Sequence, residues 1–297
     1  MKNPVIIGSR GSDLALWQAH FVQKKLADIG IASTIEIIKT KGDAIQNLSF
    51  DKIEGKGFFT KEIEEALLAG SIDLAVHSHK DLETQSPEGL TIAAVSERAD
   101  PREILLIHPD AIDSNAAWHF KHGARVGTSS SRRKAQLLHI RPDVTLADIR
   151  GNVPTRIQKL HDGEFDAILL AKAGVDRLQL DVSDLHAIAL DIADLVPAPA
   201  QGVLALQTRV RDTDLILSLE KINSRQVQQC IGIERTVLNR LQGGCQLPLG
   251  VHAQYHSNEY HVWVAFASSW NQQLMTFDIK GNDGEQLIED ILKRIQR

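Results

Sequence analysis

The sequence predicts an α/β protein: two βα domains in tandem, followed by a smaller α+β domain. Three observations carry this. Short apolar strands alternate with helix-period stretches from the first residues, the alternation restarts near Ala99, and beyond Asp212 two helices give way to alternating strands and a last helix. The expected domains are 1–98 with 197–212, then 99–196, then 213–297.

Val5 to Gly8 reads as a strand, and the helix after it shows an apolar face of Leu14, Trp17, Phe21, Val22, Leu26 and Ile29, closed by Gly30. Ser33 to Lys39 is a second strand, which makes the opening a βαβ unit. The polar stretch Thr40 to Phe59, with Gly42, Gly55 and Gly57, is long for a connection and is expected to be functional or mobile. Thr60 is expected to cap a helix through Ala69 that carries Glu62, Glu64 and Glu65 early, and Leu74 to His77 follows as a buried strand.

In the second domain, strands are expected at Ile104 to Ile107, Arg125 to Gly127, Val144 to Ile149 and Asp166 to Ala171, with helices at Ser131 to Ile140, Pro154 to Leu160 and Ala173 to Leu178. The proline-punctuated Val196 to Gly202 reads as a crossing, and Val203 to Gln207 as a strand returning to the first domain. Helices at Asp214 to Ile222 and Arg225 to Leu241 precede strands around Leu249 to Gln254, Tyr260 to Ala267 and Leu274 to Lys280.

Composition narrows the class. The 297 residues are 43% hydrophobic and 24% charged, as expected of a soluble globular protein with more than one core. The longest clean apolar runs, Ala167 to Ala171 and Val262 to Ala267, are strand-sized, well short of the roughly 20 residues of a membrane helix. Arg10 and Asp13 interrupt the start, so a signal segment is not expected and a cytoplasmic location is. A formal charge of −5, from 33 basic and 38 acidic residues, argues against a nucleic-acid binder held by backbone phosphates. With no coiled coil or apolar stripe, a monomer without nucleic-acid or membrane partners is expected.

Two cysteines permit at most one disulfide, too few for a stapled fold. Cys230 shares helical spacing with Val227, Ile231, Val237, Leu238 and Leu241 and is expected to face a core without chemistry. Cys245 stands in Leu241-Gln242-Gly243-Gly244-Cys245-Gln246-Leu247-Pro248, where two glycines free the backbone for positive φ and Pro248 stops any helix. The loop presents the sulfur, yet from these residues alone an ordinary packing cysteine is favoured over a thiol that a reactant must reach.

The unusual residues collect at strand ends, where open α/β sheets bind ligands. They are Ser9-Arg10-Gly11-Ser12, Ser78-His79-Lys80-Asp81, Thr128-Ser129-Ser130-Ser131-Arg132-Arg133, Arg150 to Arg156, and Ala171 to Arg177. Hydroxyls and free N–H groups at helix starts, with guanidinium forks, suit carboxylates or phosphates. Arginine in a helix's first turn meets the positive end of the dipole, so Arg132 and Arg133 suggest an anion nearby. Asp81 reads equally as a proton-transfer or charge-stabilising group and as a salt-bridge or capping acid. His77 and His79 have no third ligand indicated, and no metal site is expected.

Gly8-Ser9-Arg10-Gly11-Ser12, Gly55-Lys56-Gly57-Phe58-Phe59, His77-Ser78-His79-Lys80-Asp81, Gly127-Thr128-Ser129-Ser130, Arg150-Gly151-Asn152-Val153, Pro199-Ala200-Gln201-Gly202 and Gly243-Gly244-Cys245-Gln246, taken in order, closely resemble the porphobilinogen deaminase (hydroxymethylbilane synthase) family. The resemblance implies two type II periplasmic-binding-protein-like domains and a third, smaller α+β domain. It implies a transferase of tetrapyrrole and haem biosynthesis that joins four porphobilinogen molecules head to tail on a covalent dipyrromethane cofactor. Ammonia is lost at each addition, and hydroxymethylbilane is finally released by hydrolysis.

By the same likeness, Cys245 would carry the cofactor through a thioether, and Asp81 would be the catalytic acid facing the pyrrole nitrogens. Cofactor carboxylates would be held by Ser12, Lys80, Thr128, Ser129, Arg132, Arg133 and Arg150, and substrate by Arg10, Arg150, Arg156, Arg177 and Gln201, the last near a hinge. Lys56 and Phe59 match a mobile loop over the cleft, while His79, Ser131 and Ala200 depart from the commonest pattern at uncharged positions. A two-lobed solute-binding protein for a polycarboxylate anion is the alternative, although it has no use for Cys245 or Asp81.

Overall fold

A computed structural model describes residues 4–40, 60–244 and 246–296. Among these, one compact unit comprises 4–40, 60–99 and 200–232, and another comprises 100–199, 233–244 and 246–296. The described residues form three sheets, two of five strands and one of three.

In the first unit, strand β1 (Val5–Ser9) leads into helix α1 (Asp13–Asp28), which starts where Ser12 accepts a hydrogen bond from the Ala15 N–H. The helix stops at Gly30, whose φ of +79° ordinary residues avoid. Its buried face centres on Gln18, Ala19, Val22 and Leu26 rather than on the expected aromatics. Trp17 and Phe21 instead stack on each other at 5.5 Å, half-buried at the helix margin. The small Ala19 and a glutamine bonded to Ser78 Oγ at 2.9 Å take the places closest to the sheet.

After strand β2 (Ser33–Ile37), helix α2 (Lys61–Ala69) begins at Thr60 without the expected side-chain cap; only the Thr60 carbonyl accepts, from Glu64 N–H. Strand β3 (Leu74–Ser78) is parallel to β1, as is β2. Strand β4 (Leu90–Val95) was not expected; its run Leu-Thr-Ile-Ala-Ala-Val lies between Gly89 and Arg98 and carries a recognisable β composition.

In the second unit, β5 (Glu103–Ile107), β6 (Arg125–Gly127), helix α3 (Ser131–Ile140), β7 (Thr145–Ala147), helix α4 (Val153–His161), β8 (Ala167–Ala171) and helix α5 (Lys172–Leu178) follow as expected. An unexpected edge strand, β9 (His186–Ala189), completes the sheet. Helix α3 covers the predicted residues.

Strand β10 (Leu204–Arg209) returns to the first sheet, as its sequence suggested, and runs antiparallel between β3 and β4. The orders β2-β1-β3-β10-β4 and β7-β6-β8-β5-β9 share one layout of strand directions, but the antiparallel strand comes last along the chain in the first sheet and first in the second. In each, three parallel strands are joined by one antiparallel strand and closed by an edge strand. This is the type II periplasmic-binding-protein-like arrangement, repeated without a sequence repeat.

Arg209 anchors the first unit from the end of β10. It donates to the carbonyls of Leu67 and Ile72 at 2.7 and 2.5 Å and to Asp73 and Asp212 at 2.8 and 2.6 Å. Where the chain enters β10, Gly202 has φ +86° and a Cβ there would lie 2.6 Å from the Ala99 carbonyl oxygen. The Ala99 N–H donates to Gly202 O across this close approach, so glycine is the residue that fits.

Helices α6 (Thr213–Leu219) and α7 (Arg225–Arg240) follow, then the meander β11 (Leu249–His256), β12 (Glu259–Phe266) and β13 (Met275–Gly281), and helix α8 (Gly284–Ile295). The meander packs Ala265, Ala267 and Leu274 with Ala135 and Val196. Gly250 admits the chain there, since a Cβ would stand 2.6 Å from Val196 O. Cys230 lies in α7 at 5% exposure, buried as expected. Among the described residues no helix is long and apolar enough to cross a membrane.

A buried polar chain crosses the first sheet. His77 bonds Gln207 Oε1 at 3.1 Å, and Gln207 Nε2 donates to Glu64 Oε1 at 3.0 Å. Burial pushes the His77 imidazole down to about 4, and burial also holds Glu64 above its ordinary value. A histidine lowered in the folded state contributes stability that is full above its unfolded pKa near 6.5 and is lost as pH falls towards 4, because the unfolded chain takes the proton first. Glu64 gives the opposite slope, so the two are separated by difference. The stability of the parent minus that of His77→Gln should shrink by about 3 kcal/mol between pH 6.5 and 4 in urea titrations. A pH-independent difference would contradict this assignment.

Candidate active site

The carboxyl ends of β6, β7 and β8 are built by hydroxyls and amides that fix the backbone. Gly127 ends β6 against Phe165, where a Cβ would lie 2.9 Å from the ring. Thr128 is buried and its Oγ1 accepts from Ser130 N–H at 3.3 Å. Ser129 donates to the Ile149 carbonyl at 2.9 Å and accepts the Ile149 N–H at 3.1 Å, tying this turn to the chain after β7. Ser130 then caps α3 by accepting from Arg133 N–H.

The first turn of α3 is unusual because Ser131, Arg132, Arg133 and Lys134 are all buried. Arg132 Nη2 donates to Glu103 Oε1 at 2.5 Å and Nη1 to Val196 O at 2.9 Å. Arg133 Nη2 donates to Glu103 Oε2 at 2.6 Å and Nη1 to Leu169 O at 3.0 Å. The anion expected beside these arginines is thus present within the chain, as Glu103 at 0% exposure. Burial nonetheless lowers the Arg132 pKa, with Glu103 raising it and Arg133 lowering it further. Among the described residues the buried Arg133 Nε–H meets no hydrogen-bond partner.

Glu103 itself escaped the sequence reading. Its signal was a lone acid heading the apolar run Ile104 to Ile107, directly after Asp100-Pro101-Arg102. Lys134 bonds Asp148 at 2.7 Å and lies over the Trp270 ring.

Arg150 is half-buried just after β7. Gly151 follows at φ +112°, and Asn152 caps α4 by accepting from Thr155 N–H at 2.9 Å, with Pro154 in the first turn. Arg156 donates Nε to Gly151 O at 2.8 Å, which aims its guanidinium along this turn. Arg177, in the last turn of α5, is pushed down to about 10 by burial.

In the first unit, Arg10 is half-buried after β1, and Ser12 is engaged in capping α1. Asp81 is exposed on a single 3-10 turn, His79–Asp81, directly after β3. Buried residues hold that turn on both sides: His79 N–H donates to Val203 O at 2.9 Å, and Leu82 is buried. Lys80 Nζ donates to Gln201 Oε1 at 3.2 Å, and Gln201, buried at 1% exposure, also accepts Arg98 Nε at its carbonyl. Lys80 and Asp81 therefore ride on one rigid turn.

Cys245, Lys56 and Phe59 lie outside the described residues. Around the cysteine, the positive φ expected of the glycines belongs instead to Gln242, at +52°. Gly243 is needed for closeness, as a Cβ would lie 2.5 Å from Leu247 Cδ2 and 2.9 Å from Leu238 Cδ1, whereas Gly244 is open to solvent. A cavity of about 310 Å³ borders this loop, lined in part by Ser131, Gln246, Ser268, Ser269 and Trp270.

In the second unit the donor set fits an acidic group. Two guanidiniums face one carboxylate, which leaves one positive charge in excess, and a buried Nε–H is unmet beside it. A ligand bearing carboxylates, as a dipyrromethane does, matches that excess.

Two family models match the chain, one described as porphobilinogen deaminase, dipyromethane cofactor binding domain, over residues 5–217, and one as its C-terminal domain, over 228–295. The porphobilinogen deaminase of Chloroherpeton thalassium is 43% identical over 266 residues, covering 88% of this chain and 82% of that protein. That of Pelobacter propionicus is 41% identical over 298 residues, covering 97% and 93%. Among solved structures, the periplasmic VFT2 domain of Bordetella pertussis BvgS resembles 73% of this chain over 86% of its own, with 15% identity and a TM-score of 0.43.

The Ser129 hydroxyl is committed to the backbone of Ile149. Ser129→Ala should therefore leave the Ile149 amide pair unmet and cost about 1–3 kcal/mol, read as a lower urea midpoint. An unchanged midpoint would mean that water replaces the hydroxyl and that the turn does not depend on it.

Proposed function

We propose, for a chain that belongs to the porphobilinogen deaminase family, that Asp81 is the catalytic carboxylate, Cys245 the attachment point of the cofactor, and the strand-end arginines its carboxylate holders. The enzyme is a hydroxymethylbilane synthase, a transferase of tetrapyrrole biosynthesis that joins four porphobilinogen molecules head to tail. The dipyrromethane cofactor, when bound, supplies the nucleophilic end to which the first pyrrole is added. The alternative of a solute-binding protein is not favoured by the family.

The observation that carries the site reading is the pair of buried guanidiniums, with one charge in excess and one N–H unmet, at the ligand end of a mixed sheet. Each porphobilinogen carries an acetate and a propionate, so a growing chain needs several fixed cations. Arg132, Arg133 and Arg150, with Thr128 and the backbone N–H of Ser129, whose hydroxyl is committed to Ile149, hold carboxylates of the cofactor, as do Ser12 and Lys80 in the first unit. Arg10, Arg150, Arg156, Arg177 and Gln201 serve the incoming substrate. The part of Gln201 is indirect, since its amide oxygen steadies Lys80. Lys56 and Phe59, outside the described residues, are assigned by the family resemblance to shielding the reacting groups.

Asp81 suits its role because it is exposed on a turn that the buried His79 and Leu82 hold still. Its carboxylate accepts pyrrole N–H groups and offsets the positive charge left on a pyrrole as its aminomethyl nitrogen departs as ammonia. The nucleophilic ring carbon that bonds to the methylene left by ammonia must then lose its proton to restore the aromatic ring, and the same carboxylate can take it. We further assign three domains, 1–98 with 197–212, 99–196 and 213–297, supported by three separate sheets. The protein is proposed to be a cytoplasmic monomer without nucleic-acid or membrane partners, supported by its charge of −5.

Intact-mass measurement tests the anchor: the active enzyme should be heavier than its sequence by one dipyrromethane, and Cys245→Ser should show the bare mass and no turnover. An active parent at bare mass would overturn the covalent attachment. For Asp81→Asn, cofactor and fold should persist while kcat falls by about 10²- to 10⁴-fold, the usual share of acid–base catalysis. Near-parental kcat would remove Asp81 from the chemistry.

A further inference from the structure

Glu103 occupies a place that the proposed carboxylate-holding role of Arg132 and Arg133 does not explain. It begins β5, and because β5 runs antiparallel to β8, Glu103 lies opposite Ala171, at the carboxyl end of β8. An apolar strand thus delivers a fully buried acid to the ligand end of the sheet. Each of its two oxygens takes one arginine, at 2.5 and 2.6 Å. The remaining geometry is over-determined. Val196 O receives Arg132 Nη1 and also Gln136 Nε2 at 3.1 Å, while Gln136 Oε1 accepts the Val196 N–H at 2.7 Å. Leu169 O, in β8, receives Arg133 Nη1.

Two guanidiniums this close would repel and splay if nothing stood between them. One carboxylate between them reduces a double charge to a single one and fixes both planes. The unmet Nε–H of Arg133 then marks a donor that this internal carboxylate does not use. We propose that Glu103 is a positioning residue for cofactor capture: it aims Arg132 and Arg133 and sets their excess charge at one, so that the cluster takes up a single ligand carboxylate. This rests on the reading that Arg132 and Arg133 hold cofactor carboxylates.

The cost of this device is burial of three ionised groups. It is acceptable because every oxygen of Glu103 is met and both arginines also reach carbonyls. Glu103→Gln tests it closely in size, because one end of the amide is a donor facing a guanidinium donor, and the cluster must open. Glu103→Asp keeps the charge with one methylene less.

The experiment follows the uptake of porphobilinogen by the full-length chain prepared without cofactor, using intact mass for the bound group and circular dichroism for the fold. Glu103→Gln should remain folded yet acquire the covalent group roughly ten-fold or more slowly, while Glu103→Asp recovers most of the parental rate. Parental uptake by a folded Glu103→Gln would overturn the inference. So would loss of fold in both variants, since Glu103 would then serve the fold alone. Arg132→Leu and Arg133→Leu separate the premise from the inference. If both take up the group at the parental rate, the carboxylate-holding reading itself fails; if they are slow while Glu103→Gln is not, only the role of Glu103 fails.

Discussion

Two guanidinium groups held out of water side by side are tolerable only because Glu103 stands between them, and the ligand end of the second sheet is organised around that contact. Desolvating an ion costs several kcal/mol even after relaxation, so an arrangement with three such groups persists only when its hydrogen bonds are nearly complete. The surrounding backbone is placed accordingly. The Val196 and Leu169 carbonyls accept from the arginines, Gln136 clasps Val196 from both sides, and Ser129 ties the neighbouring turn to Ile149. The meander then packs on Ala135 and Val196, so the third sheet rests on the same helix and the same crossing segment.

Much of this was legible in the sequence. Helix α3 was bounded correctly because Ser130 caps it and the residues after Ile140 lose the helical period. The return of β10 followed from proline punctuation before an apolar run, and the strand ends followed from glycine and hydroxyl clusters. The family resemblance supplied the chemistry, which no periodicity contains.

What escaped reading has physical reasons. Edge strand β9 is short, and the six-residue β4 lacks a clear polar–apolar alternation, so their pairing is decided by the neighbouring strand rather than by their own residues. Size and apolarity suggest Trp17 and Phe21 for the centre of the core, but Ala19 is the residue buried there, while Phe21 packs on the core from its margin and stacks on Trp17. Around Cys245, the two glycines suggest conformational freedom. In the structure, Gly243 answers a steric demand from Leu238 and Leu247, and Gln242 takes the left-handed turn. Glu103 was missed because a pattern centred on cations directs attention to outside anions, while the nearest one was 29 residues upstream of Arg132.

The strand exchange in the first sheet also sets an order of events on the ribosome. The second sheet has its last strand once residue 189 has emerged, whereas the first, begun almost 100 residues earlier, still lacks β10, which ends at Arg209. Until then β3 and β4 have no strand between them, and Arg209 is not there to satisfy the Leu67 and Ile72 carbonyls or Asp73. The portion synthesised first is therefore the one that must wait. Exposed strand edges in a nascent chain invite wrong pairing, so a ribosomal pause between residues 95 and 204 would prolong the interval in which this protein is most open to misassembly.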